Sequence, residues 1–153
     1  MRGMMAVVCV ALAACGSGSE TDLETAFCDI LANGPEDQVD AVDGPSGPEL
    51  AAEDRSVAVL LVDLGDGTFG GSATYTADEA GSFVMGLSDD IPLTVYDSQD
   101  EVVPLENTVQ GASCDELAVR HTVQLEAAAY RVEFGPTDVD EVRVVSEESD
   151  DDA

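Results

Sequence analysis

The strongest constraint on this chain is a two-residue alternation of apolar and polar side chains that sets in after residue 55. It is clearest where Leu117, Val119, His121, Val123 and Leu125 alternate with Glu116, Arg120, Thr122 and Gln124. A strand sends successive side chains to opposite faces, so this spacing buries one face and leaves the other lighter. Tyr130, Val132 and Phe134 repeat it after Glu126-Ala127-Ala128-Ala129. Upstream, Ala73 and Tyr75 alternate with Ser72, Thr74 and Thr76, and Phe83, Met85 and Leu87 alternate with Ser82, Val84 and Gly86. Ile91, Leu93 and Val95 follow the same rule, and Pro92 among them marks an edge position or a strand start, because it has no amide hydrogen for a ladder. Residues 56–64 are a continuous apolar run expected as a buried strand, followed by the turn formers Gly65-Asp66-Gly67 and Gly70-Gly71.

Residues 97–100 read as a hairpin turn into Glu101-Val102-Val103, and Gly135-Pro136-Thr137-Asp138 as a turn into a last strand over 139–145. There Glu141 and Arg143 are expected to face Arg131 and Glu133 across a hairpin. Seven or eight strands at this spacing predict an all-β fold, an antiparallel β-sandwich of jelly-roll or Ig-like type.

Before residue 55 the period differs. Thr21-Asp22-Leu23-Glu24 fits a capping box, and Leu23, Ala26, Phe27, Ile30 and Leu31 keep helical spacing until Asn33-Gly34-Pro35, which predicts one short N-terminal α-helix. The stretch 35–54 is acidic and broken by Gly44-Pro45-Ser46-Gly47-Pro48, so it reads as an irregular connection with at most a helical turn at 49–54. The acid-rich end, 146–153, is expected to be disordered.

At the N-terminus, Arg2 precedes an apolar run too short to span a bilayer, and Leu12-Ala13-Ala14-Cys15 ends it with small residues and a cysteine, followed by Gly16-Ser17-Gly18-Ser19. This resembles the lipobox of bacterial lipoproteins. The resemblance implies cleavage before Cys15, diacylglycerol on its thiol and a palmitate-like acyl chain on the new amine. Two or three chains at ~0.8 kcal/mol per buried methylene make such an anchor stable. Gly16, where retained lipoproteins carry aspartate, resembles an outer-membrane sorting signal. The expected location is therefore the bacterial cell envelope, with contact to the membrane through the lipid. The expected organisation is a signal peptide over 1–14, anchor and spacer over 15–20, helix and connection over 21–54, sandwich over 55–145 and acidic tail over 146–153.

The chain has 33 acids against five basic residues, a formal charge of −28. After cleavage only Arg55, Arg120, Arg131 and Arg143 remain positive, which excludes nucleic acid and anionic lipid surfaces as partners. Cleavage also removes Cys9 and lipidation occupies Cys15, leaving Cys28 and Cys114 to form a disulfide in the oxidising compartment that export implies.

The single histidine, His121, falls in phase with Val119 and Val123 and reads as a hydrogen-bonded core residue rather than a base. No Gly-x-Ser-x-Gly, His-Glu-x-x-His or phosphate-cradling glycine loop occurs, so the chain is not expected to be an enzyme. Hard oxygen ligands are abundant: Asp63, Asp66, Ser88, Asp89, Asp90, Asp97 and Asp100 fall in loops or at strand ends, where calcium would be held if it is bound at all.

The run 72–93, then Val95-Tyr96-Asp97-Ser98-Gln99-Asp100-Glu101-Val102-Val103, and later Leu125-Glu126-Ala127-Ala128-Ala129-Tyr130-Arg131-Val132 resemble bacterial pre-peptidase C-terminal domains. Those small sandwiches show an aspartate-containing hairpin and a Leu-x-x-Gly-x-Tyr-x-Val return, and Ala128 stands here where they carry the turn glycine. The resemblance implies a non-catalytic accessory or binding module. The expectation is thus a surface binding or accessory module with an unidentified protein or envelope partner and no cofactor. The alternative is a calcium-dependent structural or adhesive module.

Overall fold

The computed structural model of the chain describes residues 19–149. Cys15, the lipobox-like stretch before it, most of the expected spacer and residues 150–153 lie outside the described residues, as do the side chains of residues 19–21.

Helix α1 runs Ser19–Asn33. It begins ahead of Thr21, so the expected capping box is not its start. Glu24, the acid of that box, instead accepts the Ser113 amide at 2.7 Å. The apolar stripe is as spaced, with Phe27 and Leu31 buried and Leu23 and Ile30 packed beside them, although Ala26 faces solvent. The Gly34 amide closes the last turn on the Ile30 carbonyl at 2.9 Å.

The strands form two sheets. One holds β1 (Glu36–Asp40), β2 (Ser56–Leu60), β11 (Glu141–Ser149), β5 (Gly81–Leu87), β9 (Val119–Leu125) and β8 (Leu105–Gln110), in that spatial order. The other holds β3 (Val62–Asp63), β4 (Phe69–Thr76), β10 (Ala129–Thr137), β6 (Leu93–Tyr96) and β7 (Val102–Val103). All pairings are antiparallel except β1 with β2. The sheets close on one core that takes Tyr75, Phe83, Met85, Val95, Val119, Val123, Tyr130, Val132 and Phe134 from the alternating positions. This is the β-sandwich that the alternation predicts.

Several expectations give way to longer-range pairing. The run 56–64 is two strands, because the chain crosses at Leu61 from the six-stranded sheet to the five-stranded one, and Leu64 emerges 40 % exposed. The connection 35–54 is not irregular throughout. β1 lies within it, no helical turn forms at 49–54, and residues 42–50 flank β4 through paired Val42 and Ser72 amides and carbonyls at 3.1 and 2.8 Å. Gly47 permits that approach, since a Cβ there would sit 2.2 Å from the Ser72 carbonyl oxygen.

Strand β10 belongs to one sheet and β11 to the other, so Glu141 and Arg143 do not face Arg131 and Glu133. β11 also runs past residue 145 to Ser149, pairing Glu147 with Val84 and Glu148 with Phe83, so the tail up to that point is ordered sheet. Pro92 precedes β6, an inner strand, and so marks a strand start. The turn before β10 needs no glycine at Ala128: the Tyr130 hydroxyl accepts the Glu126 amide at 2.8 Å and braces it, as in a tyrosine corner.

Candidate functional site

The two outer faces of the sandwich are built differently. Over the six-stranded sheet, α1 lays Phe27 and Leu31 on Val84, Val145 and Leu117 as a second apolar cluster. Leu117 therefore departs from its expected place in line with Val119 and points under the helix. Besides the Ser113–Glu24 bond, three ties fasten this cover. Cys28 and Cys114 are joined by a disulfide across 86 residues of chain. Arg120 pairs with Glu24 at 3.2 Å. Arg143 Nη1 donates to the Leu31 carbonyl at 2.7 Å.

The outer face of the five-stranded sheet has no such cover among the described residues. Because Val95 and Val103 point inward, their neighbours Tyr96 and Val102 point out, and these two are paired across β6 and β7. Arg131 on β10 stands opposite Tyr96. Its guanidinium carbon lies 4.1 Å from the ring centroid, and Nη1 donates to Asp100 at 2.8 Å. Asp100 can take that position because it closes the hairpin at φ 63, in the left-handed region that aspartate tolerates. Beside Arg131 and Glu133 the face sinks into a cleft of about 410 Å³ bounded by Leu64, Pro136 and the 42–45 loop. Leu64 and Val102, at 40 and 61 % exposure, are the exposed large hydrophobic residues among those described, and they flank this face from opposite sides. Leu64 and Val102 thus stand on either side of a stacked, ion-paired arginine.

The carboxylates considered for calcium are scattered over three loops and turned to local donors. Asp63 accepts the Gly65 amide at 2.8 Å, and Asp66 accepts the Thr68 hydroxyl and amide, which hold its carboxyl below the usual range. Asp97 accepts the Gln99 and Glu101 amides at 2.8 and 3.0 Å, and Asp100 holds Arg131. Asp89 accepts the Ser88 hydroxyl at 3.0 Å and Asp90 accepts Gln110 Nε2 at 2.7 Å. Among the described residues, no three His, Cys, Asp or Glu side chains group closely enough to hold a metal ion. A second cleft of about 340 Å³, where Asp89, Asp115, Glu116 and Glu141 stand near Arg143, is acidic as well.

His121 is 7 % exposed, with Nδ1 3.0 Å from the Thr108 hydroxyl and Nε2 buried without a hydrogen-bond partner. Burial pushes its pKa down, and the nearby Asp90 offsets part of that. The sequence placed this histidine inside but gave no sign of Thr108, because β8 carries no alternation. Nor does the sequence mark Arg131, Tyr96, Leu64 and Val102 as a group, since strands distant in sequence bring them together.

No protein-family model matches the chain. A search of characterised proteins finds none similar in sequence. Among solved structures, the chain is similar to the pre-peptidase C-terminal domain of collagenase from Bacillus anthracis, at 10 % identity and a TM-score of 0.39, covering 73 % of this chain and 94 % of that one.

Proposed function

We propose that this chain is a lipid-tethered, non-catalytic module of the bacterial envelope that binds a protein or matrix partner through the open outer face of its five-stranded sheet. The observation that carries the reading is the inequality of the two faces: helix, disulfide and ion pairs cover one, whereas the other keeps Leu64, Val102 and the Tyr96–Arg131 stack accessible. The proposed anchor at Cys15 precedes α1 in sequence, and α1 lies on the covered sheet. A chain of charge −28 is repelled from anionic headgroups, which keeps the open face free for a partner other than the lipid surface. Outer-membrane sorting through Gly16 belongs to the same reading.

The test uses the full-length lipidated protein as bait on intact envelopes. Cys15→Ser moves the protein from the detergent phase to the aqueous phase. Leu64→Asp and Val102→Asp each abolish capture of the partner that wild type retains, while Asp22→Asn on the helix side keeps it. Capture that survives both face variants, or that is lost with Asp22→Asn alone, contradicts the proposal.

A further inference from the structure

Strand β8 is the free edge of the six-stranded sheet, held on one side by β9. Its register slips between Leu105 and Asn107, and only Leu105 and Val109 are half-buried, the other four residues being exposed. An element with so few buried apolar contacts sits at the low end of a protein's local stability. Besides the ladder, two side-chain bonds hold it. The Thr108 hydroxyl meets His121 Nδ1 at 3.0 Å, and Gln110 Nε2 donates to Asp90 at 2.7 Å.

His121 lies beneath this edge and is more than nine-tenths buried, with Nε2 unpartnered. Its neighbours in register are Met85 on β5 and Thr108 on β8, both neutral, and Asp90 is the charged group acting on it. A neutral ring leaves Nε2 a single unmet hydrogen bond. A protonated ring puts a cation at the same place, which costs far more unless water reaches it. The lightest element that can move to admit water is β8, because β5 and β9 are inner strands.

We infer that His121 is an acid-sensitive latch: taking up a proton releases β8 from the sheet edge while the rest of the sandwich stays folded. Burial lowers the histidine's folded pKa below that of the unfolded or opened chain. Above about pH 6.5 the ring is neutral in both states and the latch is closed; as pH falls below that, the opened state takes the proton first and is favoured.

Hydrogen exchange of the full-length protein tests the latch when compared at about pH 7.5 and about pH 5 after correction for intrinsic rates. The β8 amides exchange several-fold faster at the lower pH, while those of β2 and β11 do not. His121→Gln and His121→Phe remove the acid response. In wild type, the midpoint of β8 release coincides with titration of the ring-proton resonance, unambiguous because the chain has one histidine. Absence of any β8 response in wild type, an equal response in the variants, or release whose midpoint departs from the ring titration overturns the inference.

Discussion

Each arginine of the described chain ties segments far apart in sequence, yet the ties differ in worth according to the water around them. Arg55 and Asp37 meet at 2.8 Å with about half of each side chain exposed, at 42 and 51 %. A pair so open contributes at most a few tenths of a kcal/mol. Arg120 and Glu24 are 12 and 20 % exposed, and Glu24 also accepts the Ser113 amide. That amide, more than the guanidinium, holds the Glu24 carboxyl below its ordinary range. Glu24→Ala would leave both donors under the helix without their acceptor, and is predicted to cost about 2 kcal/mol in urea unfolding, against less than about 0.5 kcal/mol for Arg55→Ala. The Glu24 contribution is present above the usual carboxylate pKa and fades as pH falls through the depressed folded value, so wild type and variant converge in acid.

At the scale of elements, the fold depends on α1 lying close against β5. Gly86 makes the fit possible: a Cβ there would meet Phe27 Cδ2 at 2.7 Å and Leu117 Cδ1 at 2.8 Å. Gly86→Ala is predicted to destabilise by about 1–3 kcal/mol through overpacking. Gly81→Ala on the same strand, where a Cβ meets nothing closer than Glu148 at 3.8 Å, should stay within about 0.5 kcal/mol. Chemical denaturation of the two variants reads the difference.

Gly86 also shows where sequence reading stops. The core faces of β4, β5, β6, β9 and β10 were legible because burial of one face imposes the alternation. The other face of β5 looked light from Ser82, Val84 and Gly86, but that appearance cannot distinguish a solvated face from one covered by a helix. Edge strands β1 and β8 left little trace, since most of their side chains meet water on both faces. The supposed Arg131–Glu141 hairpin failed for a different reason: adjacency in sequence says nothing about a chain that changes sheet between β10 and β11. Of the site, the sequence showed its components and the Asp97 to Asp100 turn, but the convergence of Leu64, Tyr96, Val102 and Arg131 is a product of strand order.

At the scale of the whole molecule, the sandwich is asymmetric, and the proposed function adds a tether to it. The helix that follows the proposed anchor covers the six-stranded sheet, and the five-stranded sheet presents an amphipathic face on an otherwise strongly acidic body. The measurement that bears most directly on this is hydroxyl-radical footprinting of the full-length lipidated protein in intact envelopes, compared with the same protein purified and reconstituted into vesicles of envelope lipid. Both samples contain the same membrane, so a difference reports the partner. The account predicts that labelling of Leu64, Tyr96 and Val102 falls in envelopes while that of Ile30 on α1 is unchanged. Protection that appears on α1 instead, or labelling of the three face residues that is the same in both samples, would contradict it.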